Sequence, residues 1–473
     1  MPPPRSNTKA RQTGQSTASR TPSQRKLTQR ERILAGTVAA TNRAGYAGSS
    51  VSAVIRNAGV SRPTFYDYFT DRDDCFRATI EAVQEQLLAA VEDSLQDATP
   101  TEAVPRALEA ILAYASAEPA NARFLMSGAM SGGAPALDTR DAGVAEIARA
   151  ISAGAETASR NDSLPDLDLT VLVGCVYRML GTRLRRGETS LTRLAPELVE
   201  WVSGYARPAA QLRWQTLTPG PIPPRSPHLP DEPIPTMPPA QPPGRPRGSD
   251  QEVAENQRAR ILFATARLAA EKGYSAATVT DITDLSRVDG RSFYRLFSDK
   301  HDAFAAVHDL GFQRVMDVTA KAYFSASSWP DRSFEGARAL TQLLNESPLI
   351  SYIGFVEAYA IGPSSIQRVE DSHTAFIFFL QEGLLLANSP TPPSRLAMEA
   401  VISYVFEIIY LQARRPSPQL AAMLAPIAHV MLAPFLGLAE SDRFIDSRLP
   451  ASKSPRPKTR PPKPRATKRA ASR

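Results

Sequence analysis

Apolar residues along this chain recur at helical spacing, and no stretch alternates apolar with polar over the length of a strand. Residues 167–186 (LDLTVLVGCVYRMLGTRLRR) and 395–415 (RLAMEAVISYVFEIIYLQARR) predict two long apolar helices. Both end in arginines, where positive charge suits the C-terminal end of a helix dipole. Three stretches lack the apolar density to build a core: 1–27, 208–249 and the segment from about 450 onward. The middle one is so rich in proline that it predicts a semi-stiff extended linker. The expected fold class is therefore all-α, with two helical bodies at about 28–207 and 250–440.

The two bodies repeat each other. A shift of 228 residues aligns 30–76 with 258–304 without a gap, giving 15 identities in 47 positions. The shared residues include Arg32/Arg260, Ile33/Ile261, Gly45/Gly273, Tyr46/Tyr274, Phe65/Phe293, Phe69/Phe297 and Phe76/Phe304. Local signals cut each copy into four helices. Thr28 and Glu31 form a capping box at the start of the first, and Gly45 or Gly273 ends it in a left-handed turn. Ser50 or Thr278 caps the second, Ser61 or Asp289 the third, and Thr70 or Ser298 the fourth. Two short helices joined by a tight turn and braced by longer ones make a helix-turn-helix unit.

The run AGVSRPTFYDYFTDRDDCF (58–76), following a helix that ends in AGY, resembles the signature of the tetracycline-repressor (TetR) family. The second run, SRVDGRSFYRLFSDKHDAF (286–304), resembles it less closely. The resemblance implies a bacterial, sequence-specific DNA-binding transcriptional regulator, a repressor by analogy, working in the cytoplasm and on the nucleoid when bound to DNA. Composition and the resemblance together divide the chain into a disordered basic arm (1–27), a first DNA-binding domain (28–76) and a first regulatory and dimerisation domain (77–207). After the linker (208–249) come a diverged second DNA-binding domain (250–304), a second regulatory domain (305–440) and a disordered basic tail (450–473).

In such a unit the third helix enters the major groove. The resemblance makes Ser61, Arg62, Pro63, Thr64, Tyr66 and Tyr68 candidates for DNA contact, with Arg72 at the start of the fourth helix facing phosphate. The second copy offers Arg291, Ser292, Tyr294, Arg295 and Lys300. It departs from the first where Gly59 becomes Arg287, losing the residue that best tolerates positive φ, and where Ser61 becomes Asp289. Solvated helix faces and core packing explain any one of these residues alone; the joint spacing is what points to DNA.

Family members carry a helical bundle after this unit, which dimerises through its last two helices and often encloses an apolar ligand. The ends of the two bodies echo each other: Arg185-Arg186 then Leu194-Ala195-Pro196, and Arg414-Arg415 then Leu424-Ala425-Pro426. Two arrangements stay open, an intramolecular pseudo-dimer or a homodimer through these helices. Tyr352, Phe355, Tyr359, Phe376, Phe379 and Tyr404 are candidates to line a pocket for a small apolar effector, with helical core as the plainer reading. His373 and His429 read as packing residues.

Charge sharpens this picture. The formal total is +7, yet the two terminal segments alone hold +15 with no acid, which leaves the remainder at −8. Basic arms suit a polyanion through counterion release, or serve as solubilising tails. Two cysteines make neither a disulfide framework nor a metal cluster, and no run approaches the roughly 20 apolar residues of a membrane span. Without a phosphate-binding glycine loop, a HExxH motif or a nucleophile motif, an enzyme, a cofactor and a metal are not expected. The competing reading is a helical interaction scaffold in which one or both units no longer bind DNA.

Overall fold

Both bodies open on a reciprocal cap. Thr28 Oγ1 accepts from the Glu31 amide at 3.2 Å while Glu31 accepts from the Thr28 amide at 2.7 Å, and Ser249 with Glu252 repeats this at the head of the second body. The computed structural model describes residues 27–231, 237–240, 248–386 and 392–449. The basic arm, the basic tail and parts of the proline-rich linker lie outside these residues.

The first body comprises α1 (Gln29–Gly48), α2 (Val51–Ala58), α3 (Arg62–Tyr68), α4 (Arg72–Leu95), α5 (Ala103–Ala117), α6 (Pro119–Met126), α7 (Ala134–Ala155), α8 (Leu169–Arg185) and α9 (Ala195–Ser203). Two three-residue strands, β1 (Ser163–Pro165) and β2 (Ala206–Pro208), pair antiparallel beside it with Leu164 opposite Arg207. The second body begins with α10 (Asp250–Ala276), α11 (Val279–Ser286), α12 (Gly290–Leu296) and α13 (Lys300–Ser325). It continues through α14 (Trp329–Glu346), α15 (Pro348–Tyr352), α16 (Ala358–Ile361), α17 (Pro363–Gln381), α18 (Gly383–Leu386), α19 (Arg395–Ala413), α20 (Leu424–Leu436) and α21 (Leu438–Arg448). The all-α, two-body architecture is thus observed.

Gly45 and Gly273 kink the chain at φ 68° and 79° inside the last turns of α1 and α10, with ψ of 177° and 159° in place of the left-handed turn expected at the helix end, a conformation that glycine alone adopts readily. The caps of α2, α3, α11 and α12 are the expected Ser50, Ser61, Thr278 and Asp289. The fourth helices differ by one residue: Asp71 caps α4 and Asp299 caps α13, not Thr70 and Ser298. A carboxylate at Asp71 accepts from the Asp74 amide at 2.7 Å, and the Thr70 amide donates instead to the Asp74 side chain. Both carboxylates of the pair are thereby used, and the helix starts later.

Each helix-turn-helix unit keeps a small core of its own, around Ile33, Val54, Phe65 and Phe69 in one and Ile261, Ile282, Phe293 and Phe297 in the other. The remaining helices share one continuous apolar core that runs through both bodies, including Val171 and Leu180 of α8 with Val401 and Ile408 of α19. By length and composition Arg395–Ala413 could cross a membrane, but 89% of its apolar 18-residue window is buried inside the molecule. An all-round apolar helix is what the centre of a large helical bundle requires.

Two sequence expectations need correction. The proline-rich segment is not free of the core: Leu229 is buried in it, and the Gly220 amide donates to the Ala422 carbonyl at 2.9 Å. Proline leaves carbonyls without neighbouring donors, and Gln342 supplies them, donating to Pro223 and Pro224 while accepting from the Ser226 amide. The second body also runs beyond 440. The added helix α21 sets Phe444 against Phe334 and pairs Arg448 with Asp331, closing the bundle.

Candidate nucleic-acid interface

The geometry of α3 follows from which side chains its core consumes. Phe65 is fully buried and Phe69 is 4% exposed, so the opposite face turns outward. Ser61 accepts from the Thr64 amide at 3.2 Å and shares a 2.8 Å hydroxyl bond with Thr64, which fixes the N-terminal turn. Arg62, Pro63, Tyr66 and Tyr68 are exposed. The Arg62 guanidinium lies 5.8 Å from the Tyr66 ring centre and makes no ion pair among the described residues. The turn before α3 uses Gly59 at φ 62°.

Arg32 Nε donates to the Ala58 carbonyl at 3.0 Å, and Arg260 Nε to the Ser286 carbonyl at 2.7 Å. These arginines tie the first helix of each unit to the C-terminal end of the second, where free carbonyls and the helix dipole welcome a cation. Sequence reasoning assigned them no role; their identity in both copies was the available signal.

On the fourth helix the candidate cations Arg72 and Lys300 have partners within the unit. The Arg72 guanidinium stacks 4.2 Å from the Tyr46 ring and bonds Asp73 at 2.9 Å, while Tyr46 donates to the same carboxylate at 2.7 Å. Burial, then the Asp73 bond, pushes the Tyr46 phenol up to about 12. In the second unit Lys300 sits 4.5 Å from the Tyr274 ring and donates to the carbonyls of Tyr274 and Ala277 at 3.1 and 2.9 Å. Both cations are directed inward, toward the end of the first helix.

The second unit places Arg291, Tyr294 and Arg295 on the outer face of α12, with Ser292 half-buried and bonded through its amide to Asp289 at 3.0 Å. Arg295 is drawn back to Gln257 of α10 at 2.8 Å. Arg287 occupies the left-handed region at φ 53°, the one non-glycine to do so among the described residues. The turn is therefore kept despite the loss of glycine, at a cost of roughly 1 kcal/mol.

A cavity of about 440 Å³ opens beneath the second unit. Phe263 of α10, Val307 and Leu310 of α13, and Phe355, Phe376 and Phe406 contribute to its walls. His308 also faces it, 4% exposed, with Nδ1 unpartnered and burial holding its imidazole down at about 4. Of the six aromatic candidates only Phe355 and Phe376 line this cavity. Tyr359 faces a separate polar cleft between the bodies and accepts from Arg178 at 2.9 Å. Tyr404 accepts from the Asp168 amide at 2.8 Å, Phe379 packs on Tyr323, and Tyr352 lies in the small cluster that includes Tyr359 and Tyr410. Their hydroxyls and rings are drawn to partners made by tertiary packing. His373 bonds Ser403 at 2.8 Å, and His429 is buried against Tyr205 and Trp214. No group of three His, Cys, Asp or Glu that could hold a metal occurs among the described residues.

The face that α8 presents to the second body is rich in opposed charge. Arg183 meets Glu399 at 2.5 Å, Arg185 meets Glu370 at 2.6 Å, and Arg178 meets Glu407 at 3.0 Å. Arg207 reaches Asp442 at 2.6 Å, and the Tyr205 hydroxyl donates to the Val430 carbonyl at 2.8 Å.

Residues 33–79 and 261–307 each match the family described as "Bacterial regulatory proteins, tetR family". Among solved structures, a fatty acid degradation regulator, FadR, from Bacillus halodurans is similar at 17% identity and a TM-score of 0.34, over 38% of this chain and 96% of that one. A bacterial regulatory protein in the tetR family from Rhodococcus RHA1 is similar at 19% identity and a TM-score of 0.31, over 41% of this chain and 95% of that one. Among curated proteins none matches this sequence.

Proposed function

Because the chain belongs to the TetR family of DNA-binding transcriptional regulators, with the family's helix-turn-helix domain present twice, we propose that it represses transcription by reading an operator mainly through α3. The observation that carries this reading is the outward face of α3, where Arg62, with no carboxylate partner among the described residues, reaches the Tyr66 hydroxyl at 3.5 Å beside Tyr68, on a helix anchored by Phe65 and Phe69. An arginine at that place can pair with guanine O6 and N7, and tyrosine hydroxyls can reach phosphate. The protein acts on nucleoid DNA in the cytoplasm.

The two bodies work as a single-chain pseudo-dimer, a reading supported by the shared core and the Arg–Glu pairs between α8 and the second body. The second unit contributes less to sequence reading, since Lys300 and Arg295 are occupied by internal partners. That observation favours a partly structural role for this unit. A small apolar effector enters the cavity between α10 and α13, where an unpartnered His308 nitrogen awaits one polar atom. Because α10 and α13 also build the second unit, an occupant there shifts its position and loosens DNA.

Operators selected from a random duplex pool with the full chain test the reading, followed by binding of the Arg62→Ala/Tyr66→Ala variant. Loss of specific binding at least a hundredfold, with the fold intact by circular dichroism, is the expected result. Unchanged affinity would move DNA recognition away from α3.

A further inference from the structure

Arg178 and Glu407 occupy the same place in the two halves. They lie 229 positions apart, on the equivalent helices α8 and α19. Two equivalent residues that touch must lie where the two-fold relation between the halves passes, and these touch at 3.0 Å. Two further pairs mark the same relation. Arg185–Glu370 at 2.6 Å and Arg414–Asp141 at 3.4 Å are each other's counterparts under the same shift. Those flanking pairs would form in any combination of halves. The central pair would not.

We propose that the two halves are charge-matched, so that the first body pairs only with a second body and neither pairs with its own copy. This inference rests on the pseudo-dimer reading and adds the rule that selects the partner. Pairing two first bodies would set Arg178 against Arg178, and pairing two second bodies would set Glu407 against Glu407. In the folded chain these side chains are 7% and 1% exposed, so neither like-charged pair would be screened by water. Arg140, 2% exposed, adds a second guanidinium 3.4 Å from Glu407.

Shape enforces the same choice. A Cβ on Gly174 would lie 2.2 Å from Glu407 Oε1, so the carboxylate fits only because the first body has glycine there. The second body's counterpart of Gly174 is Ser403, one turn before Glu407. Two second bodies would therefore collide where first and second bodies fit. Charge forbids both kinds of self-pairing and volume forbids that of two second bodies, a form of specificity built from repulsion as well as attraction.

The test uses full chains carrying Arg178→Glu or Glu407→Arg, each expressed alone and then together under different affinity tags. Alone, each variant has like charges at the centre and is expected to unfold at a lower temperature or to be lost from the soluble fraction. Together, the carboxylate introduced at position 178 of one chain can meet the guanidinium introduced at position 407 of the other. The native Arg178 and Glu407 that remain, one on each chain, then pair reciprocally. The two tags are expected to copurify as a particle of twice the chain mass, with the thermal midpoint recovered. Native chains under the same two tags are expected to remain separate. Single variants with native midpoints, and no copurification of the mixed pair, would overturn the charge rule while leaving the single-chain pairing intact. Copurification of native chains would instead overturn the pairing within one chain.

Discussion

The carboxylate of Glu407 fills the space that a side chain on Gly174 would take, so a glycine in one body makes room for an acid in the other. Gly174→Ala is expected to lower stability by about 1–3 kcal/mol, as overpacking of a close interior contact does. Helix propensity alone would push the other way, by up to about 1 kcal/mol. A thermal melt of the full chain decides between them, and a raised midpoint would show that Glu407 moves aside freely.

Arg287 holds a left-handed turn that Gly59 holds without strain in the first unit. Arg287→Gly is expected to stabilise the second unit by about 1 kcal/mol, less the added entropy of glycine in the unfolded chain. The reverse change, Gly59→Arg, adds strain and brings a Cβ within 2.8 Å of the Arg32 guanidinium. Urea unfolding of the two variants should move their midpoints in opposite directions.

Lys300 closes three carbonyls at the end of α10 while lying on Tyr274. Lys300→Met keeps the stem and removes the donors, with an expected loss of about 1–2 kcal/mol. If Lys300 served DNA rather than the fold, operator affinity would fall and the melting midpoint would hold. Measuring both on one preparation separates the roles.

Burial holds His308 at about 4 and His373 and His429 at about 3, against an ordinary value of 6.5. The folded protein keeps these rings neutral, whereas the unfolded chain takes up protons as pH falls through 6.5. Stability from these groups is therefore full above that value and is lost on acidification, by about 2 kcal/mol per ring at pH 5. His429→Leu should flatten the dependence of the urea midpoint between about pH 7.5 and 5. An unaltered slope would mean that His429 titrates normally.

The cavity beside His308 should take up an apolar anionic probe such as anilinonaphthalene sulfonate, with a rise in its fluorescence. Ala266 lines that cavity, and Ala266→Phe should cut the rise at least fivefold by filling it. Equal enhancement in the variant would place the probe elsewhere on the protein.

The repeated units, their turns and the outward residues of α3 were legible in the sequence because each depends on local spacing. A capping hydroxyl acts three residues away, a glycine acts at its own φ, and Phe65 and Phe69 fall on one face of one helix. Where distant segments meet, spacing says nothing. The proline-rich segment reads as a free linker until Gln342 takes up its carbonyls. Arg72 reads as a phosphate contact and Lys300 as a DNA contact, and only the tertiary structure adds that Tyr46 and Tyr274 lie beneath them. Four of the six aromatic pocket candidates left the cavity because partners far along the chain claimed them. By itself, then, the sequence determined two helix-turn-helix units, the greater promise of the first, and a duplicated helical frame. Tertiary structure alone decided that Arg178 meets Glu407, because the energy of a buried charge is set by its spatial neighbours.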